Sequence, residues 1–356
     1  MKNEDIKQLA DPDRLTRWLD IHVPALGDGP LAIKKIHGGT SNVILSLDRG
    51  RDTVILRRPP AIPPPGSEKS IMREARVLTA LRQTDVPHPY CHGSCSEADV
   101  IGAPFYIMEL VAGWPADLRD GKIYDRAPFD KAPHAREVPF AMVDGLIALA
   151  KVDFKAVGLE DFGHPDNFLE RQVDRWERQI KSYKQLYDHE FRDLPGYELL
   201  RDWLRGNIPN NYQPGIIHGD VGTPNALFAF DPPCRLTALI DWELSTIGDP
   251  MLDLAWFCSG IRDARLPDHV PEKALYNVLA WPTRQELMKH YSIGTGRDMA
   301  SFDYFLLLAM FKSGCILEYK VAQANKGILT AETGRFFDRL VRGSFTEAEK
   351  LIRLIG

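Results

Sequence analysis

IIHGDVGTPN, residues 216–225, is the stretch on which the reading of this chain turns. Its opening isoleucines read as a short strand that delivers His218-Gly219-Asp220 into a loop, and Asn225 follows five residues after the aspartate. Such a loop offers a carboxylate that can orient an attacking hydroxyl and accept its proton. It also offers an amide oxygen that can ligate Mg²⁺. Transfer of a phosphoryl group asks for little more from the protein, because positioning and charge neutralisation supply most of its catalysis. An HGD tripeptide alone is usually only a turn, so the weight comes from what stands around it.

Downstream, LTALIDWEL (236–244) is an apolar strand ending in Asp241. Mg²⁺ is held by one or two carboxylates together with phosphate oxygens and water, a requirement that Asp241 and Asn225 would meet. Upstream, DTVILRR (52–58) carries Arg57 late in a strand, and Glu74 lies on the helix that follows. A cation paired with a helical carboxylate can fix the α- and β-phosphates of a nucleotide. IHGGTSN (36–42) joins two strands through Gly38, Gly39, Thr40 and Ser41, small residues that let backbone N–H groups approach phosphates. Each signal has a bland reading by itself. A strand-end aspartate is commonly a turn residue, a Gly-Gly pair a tight turn, and an Arg–Glu pair a surface ion pair worth about 0–1 kcal/mol. Their order along the chain is the order one mechanism requires.

The fold class expected is α+β, with a small antiparallel-sheet N-lobe and a larger, mainly helical C-lobe. LAIKKI (31–36), NVILSL (42–47) and DTVILRR read as a three-stranded meander punctuated by turn signals. SEKSIMREARVLTALRQ reads as a helix with Ser67 as N-cap, and APFYIMELV (103–111) as a further strand. From about residue 140 the period becomes helical, with Val173, Trp176, Ile180, Tyr183 and Tyr187 on one face. The expected division is residues 1–111, a nucleotide-binding lobe with an N-terminal helix, and 112–356, a catalytic and substrate-binding lobe. The acid-rich opening helix (Glu4, Asp5, Asp11, Asp13) reads as solvated surface, and His218 as a structural brace of its loop.

The chain resembles the aminoglycoside phosphotransferase and choline kinase group, which has the protein-kinase-like fold. Within that group it is similar to the branch forming the kinase-like N-terminal part of acyl-CoA dehydrogenase family members 10 and 11. The carrying segments are VILRRPP, MREARVLTAL, VIGAPFYIMELVAGW, AVGLEDFG, IIHGDVGTPN and LIDWELSTIGDPMLDLAW. The Asp-x₄-Asn spacing is also that of the protein-kinase catalytic loop. The resemblance implies ATP and Mg²⁺ as cofactors, Asp220 as base, Asn225 and Asp241 as metal ligands, and Arg57 with Glu74 as the phosphate anchor. It further implies an adenine-binding hinge at Glu109, Leu110 and Val111, and Asp249 and Asp253 as supports of the catalytic loop. The family often has Lys where Arg57 stands, Arg58 beside it competes for the role, and the Gly38-Gly39 turn is not a G-x-G-x-x-G loop.

Composition narrows the partners. A formal charge of −5 over 356 residues lacks the basic excess of a nucleic-acid protein. No apolar run reaches the ~18 residues that span a bilayer, and the charged start MKNEDIKQLADPDRL has no signal-peptide core. Five scattered cysteines read as free thiols, so a soluble cytoplasmic protein is expected. The expected partner is a small hydroxylated molecule; nothing in the sequence sets the oligomeric state. Residues 112–217 carry fifteen Lys or Arg against eighteen Asp or Glu, less acidic than a site for a polycationic aminoglycoside would be. Arg171, Arg175 and Arg178 share a helical face that could draw an anionic substrate such as a CoA thioester. A metabolic kinase, an antibiotic phosphotransferase and a silent kinase-like binding module all remain open; the intact Asp220, Asn225 and Asp241 argue against the last.

Overall fold

The computed structural model describes residues 6–36, 42–50, 52–63, 66–119, 122–266, 270–271 and 280–356. Gly38, Gly39, Thr40 and Ser41 lie outside the described residues. The N-lobe opens with α1 (Ile6–Leu9) and α2 (Pro12–His22), then β1 (Leu31–Ile36), β2 (Val43–Arg49) and β3 (Asp52–Arg58). After these come α3 (Ser67–Ala80), β4 (Cys91–Cys95) and β5 (Phe105–Glu109). The sheet runs β1-β2-β3-β5-β4 with every pair antiparallel.

Two local expectations are corrected, and one strand appears that the sequence left unassigned. Glu4 and Asp5 lie outside the described residues; within them the opening segment forms two helices rather than one, because the Asp11 side chain accepts from the backbone N–H of Asp13 and Arg14 at 3.0 Å and caps α2. Ser67 is the first residue of α3 rather than its cap, which is Gly66 in the left-handed region. The segment CHGSC pairs as edge strand β4 although it contains no β-branched or aromatic residue, because β5 offers it a partner and Cys91 and Cys95 bury their thiols.

The C-lobe begins with a hairpin, β6 (Asp117–Arg119) and β7 (Lys122–Tyr124), followed by α4 (Glu137–Ala150), α5 (Phe168–Tyr187) and α6 (Tyr197–Gly206). Four short strands come next: β8 (Gly215–Ile217), β9 (Ala226–Phe228), β10 (Leu236–Leu239) and β11 (Thr246–Gly248). They form two antiparallel ribbons, β8 with β11 and β9 with β10. The chain then continues through α7 (Met251–Cys258), α8 (Arg284–Thr295), α9 (Phe302–Asn325) and α10 (Ala331–Ile355). From Phe302 to Cys315 α9 is buried at every described position apart from Asp303, as a helix apolar on all faces must be.

Two hydrophobic clusters result. One joins α2 to the sheet through Leu15, Leu19, Leu45, Leu56, Phe105 and Ile107. The other fills the helical lobe and takes in Ile71, Ala75 and Leu78 of α3, which fall on one helical face. Arg73 of α3 donates to Phe162 O at 2.9 Å and stacks 4.1 Å over the Phe162 ring, so the AVGLEDFG segment braces α3 from the larger lobe. All five cysteines are free and buried, and among the described residues no helix is long and apolar enough to cross a membrane.

Candidate active site

The site forms where β3, α3 and the loops after β8 and β10 meet. Arg57 is 7% exposed on β3, opposite Ile44 and Tyr106. Its guanidinium reaches Glu74 Oε1 at 3.0 Å, Asp241 Oδ1 at 2.6 Å and Glu243 Oε2 at 3.8 Å. Glu74 is 1% exposed, and its Oε1 also accepts from the Trp242 backbone N–H at 3.0 Å. Burial pushes the Glu74 carboxyl up to about 7 against the pull of the Arg57 cation, and the Asp241 carboxylate adds to the rise. Glu243 is raised for the same reasons, burial first and then the neighbouring Asp241 charge. Arg58, one residue on, turns elsewhere: its guanidinium binds the carbonyls of Leu9, Ile101 and Pro59 and ties α1 to the sheet. The competition between the two arginines for the place beside Glu74 is therefore decided by side-chain direction.

The loop after β8 is braced on several sides. Asp253 of α7 accepts from the backbone N–H of His218 at 2.6 Å and of Gly219 at 3.0 Å. His218 is buried, with Nε2 3.0 Å from Ile240 O and its ring 4.7 Å from that of Trp242. Asn225 donates Nδ2 to the Asp220 carbonyl at 2.9 Å and to Asp220 Oδ2 at 3.0 Å, which leaves its Oδ1 for another partner. Ile240 N–H donates to Asn225 O at 3.0 Å, tying the Asp220 loop to the Asp241 turn. Asp241 lies two residues past the end of β10 with φ +67°, a left-handed conformation that aspartate tolerates better than most residues. Asp249 accepts from the Gln213 and Met251 backbone N–H groups and pairs with Arg297. Among the described residues no group of three or more His, Cys, Asp or Glu side chains gathers as a metal site.

β5 ends at Glu109, whose N–H donates to Tyr90 O at 2.8 Å and whose carboxylate accepts from Tyr90 N–H at 3.2 Å. Leu110 and Val111 follow, Leu110 exposed. At Gly113 a Cβ would stand 2.7 Å from Thr237 Oγ1 and 2.9 Å from Leu227 Cβ, so only glycine lets the crossing chain lie this close to the C-lobe. Trp114 then exchanges backbone hydrogen bonds with Phe228.

A cavity of about 280 Å³ opens beside Asp220 and Asn225, walled by Ile123 of β7, Val221, Trp256 and Phe257. Asp220 is the one carboxylate among the described residues that line it. A larger depression of about 670 Å³ lies on the face of α3 turned away from Glu74 and holds none of these groups. The basic face of α5 is less one-sided than its sequence suggests. Asp174 and Glu177 stand among Arg171, Arg178 and Lys181, and the Arg171 guanidinium is engaged by the carbonyls of His164 and Asn167. Sequence reasoning missed Lys312 of α9, whose buried Nζ donates to Gly219 O at 2.6 Å. Its one signal was a lone lysine inside the apolar run FLLLAMFKSGC (305–315).

Residues 32–287 match the profile of a family described as the phosphotransferase enzyme family. The chain belongs to that family. Its phosphotransferase domain is similar to human acyl-CoA dehydrogenase family member 11, at 29% identity over 342 residues covering 93% of this chain and 42% of that protein. Mouse acyl-CoA dehydrogenase family member 10 is 28% identical over 338 residues, 92% of this chain and 30% of that protein. The chain thus spans well under half the length of these curated relatives. Among solved structures, a candidate aminoglycoside phosphotransferase from Ralstonia eutropha superposes with a TM-score of 0.78 at 28% identity, covering 96% of this chain and 99% of that one. An ethanolamine kinase of Plasmodium vivax shares the fold at a TM-score of 0.56 and 13% identity, over 92% of this chain and 84% of that one. The phosphotransferase fold is thus the two-lobed, protein-kinase-like one.

Proposed function

We propose that the chain transfers the γ-phosphoryl group of ATP, with Mg²⁺, to a hydroxyl of a small molecule. The observation that carries this reading is the single cation Arg57, which joins Glu74 of α3 to Asp241 of the opposite lobe while Asn225 ties its own loop to Asp220. In it Asp220 orients the acceptor hydroxyl and takes its proton, and Arg57, held by Glu74, binds the α- and β-phosphates. The backbone of Glu109, Leu110 and Val111 receives the adenine. Asn225 Oδ1 and the Asp241 carboxylate suit Mg²⁺, which needs few protein oxygens when phosphates and water complete its shell. Bound there, the metal neutralises charge on the β- and γ-phosphates.

For the acceptor, the cavity beside Asp220 favours a hydroxyl on a largely apolar body, such as a hydroxyacyl-CoA-type metabolite. A polycationic aminoglycoside would call for several carboxylates, where the described residues of the lining supply one. The test is ATP consumption against a panel of hydroxyacyl-CoAs, hydroxylated sugars and kanamycin, for the wild type and Asp220→Asn. The variant is expected to lose about 10²-fold or more in kcat with little change in ATP affinity. Near-normal kcat in Asp220→Asn, or turnover of kanamycin alone, would overturn the corresponding half of the proposal.

A further inference from the structure

Lys312 is a charge where a charge is expensive. It stands mid-way along α9 and is 7% exposed. Its ammonium donates to Gly219 O, the residue before Asp220, and lies 4.2 Å from the centroid of the Trp256 ring and 5.7 Å from that of Trp176. Among the described residues the charged groups that act on it are Asp253 of α7, Asp220 of the loop and Arg175 of α5. Burial pushes its pKa down to about 8, with Asp253 and Asp220 pulling the other way, so the ammonium is mainly protonated at neutral pH.

Trp256 connects this cation to the cavity beside Asp220. The indole lines that cavity, whereas Lys312 does not, so the lysine acts on the cavity through the ring and the loop. An exposed indole face ordinarily attracts a cation. Here a resident ammonium already sits against the ring from the protein side. The Asp220 carboxylate, the one charged group among the described lining residues beside the polar Asn225 and Ser259, would draw ammonium ligands too, and a fixed positive charge beneath the same loop offsets that attraction.

We propose that Lys312, acting through Trp256 and the Gly219 carbonyl, sets the charge preference of this cavity, which accepts neutral or anionic hydroxyl compounds and rejects cationic ones such as quaternary ammonium alcohols. The inference rests on the proposed function only in taking the cavity as the acceptor site.

Choline and 3,3-dimethylbutan-1-ol form a matched pair of probes, equal in shape and differing in a quaternary nitrogen against a carbon. Their dissociation constants for the full chain, from ligand-observed NMR titration, test the preference without any turnover. The wild type is expected to bind the neutral alcohol about tenfold or more tightly than choline, and Lys312→Met to bring the ratio within about threefold by tightening choline. Lys312→Arg is expected to keep the preference. If Lys312→Met does not fold, the wild type titrated near pH 7 and near pH 9.5 replaces it. Neither probe titrates in that range, so choline should gain on its isostere as Lys312 loses its proton. Choline binding as tightly as the neutral alcohol overturns the inference. So does a ratio unmoved by both the substitution and the pH change, and so does failure of both probes to bind. A chain that discriminates as expected yet never consumes ATP refutes the phosphotransferase proposal and leaves this one standing.

Discussion

Arg57 and Arg58 are chemically identical neighbours on β3, yet one faces carboxylates and the other backbone carbonyls. Substitution should separate them. Arg58→Ala leaves three carbonyls without their donor and is expected to cost about 2–4 kcal/mol of stability, with the ATP affinity of the folded protein nearly unchanged. Arg57→Ala also loses stability, since it strands Glu74 in the interior, but it should weaken ATP binding by about tenfold or more, with partial rescue by Lys. Titration calorimetry with Mg-ATP decides between them, and equal affinities for the two alanine variants would refute the phosphate-anchor assignment. Glu74 adds a pH signature. Its folded pKa of about 7 lies above the ~4.3 of an unfolded glutamate, so the folded chain takes up a proton between those values. The cost of burying its charge is therefore full above pH 7 and fades as pH falls towards 4.3. Urea unfolding from pH 5 to pH 8 should show the wild type losing stability relative to Glu74→Gln as pH rises. Parallel curves would contradict that.

The loop that carries Asp220 shows how an element constrains its residues. Gly219 has φ +88°, and a Cβ there would meet Leu244 O at 2.5 Å, so both conformation and space require glycine. Gly222, three residues on, has an extended backbone, and its added Cβ would meet only Pro224 Cδ at 3.6 Å. Gly219→Ala is expected to cost roughly 1–3 kcal/mol and most of the activity, because relief of the clash moves the loop that aims Asp220. Gly222→Ala should melt close to the wild type. Thermal unfolding of the two variants side by side is the measurement, and a Gly219→Ala protein as stable as Gly222→Ala would mean that the loop is not held as described.

At the scale of the molecule, the two hydrophobic clusters do not divide where the chain crosses between lobes. α3 precedes residue 111 in sequence, yet Ile71, Ala75, Val77 and Leu78 belong to the cluster of the helical lobe. One face of the sheet and α2 form the other cluster, while Cys91 and Tyr106 of the opposite face join that of α3. The helix that presents Glu74 is therefore anchored to the lobe that presents Asp220 and Asp241. Native-state hydrogen exchange should find α3 amides opening with the large lobe, at higher free energy than β1 and β2. Exchange of α3 together with β1 and β2 would refute this partition.

Sequence by itself was enough for the features that rest on local chemistry and chain order. The meander of β1 to β3, the long amphipathic α5 and the succession Arg57, Glu74, Asp220, Asn225, Asp241 could be read because period, turn residues and spacing are written in neighbouring positions. What depends on a partner far along the chain could not be read. β4 is a strand only because β5 offers an edge, and Arg57 rather than Arg58 faces the crevice because of how β3 packs against α3. Asp174 and Glu177 of α5 are bound by Arg205 of α6, 31 and 28 residues along the chain. Lys312 stands 93 residues beyond the carbonyl it holds. Its lone charge in an apolar run marked it as unusual, but only the packing of α9 beneath the Asp220 loop gave that charge a target. Burial and long-range pairing are properties of the assembled core, and no local pattern encodes them.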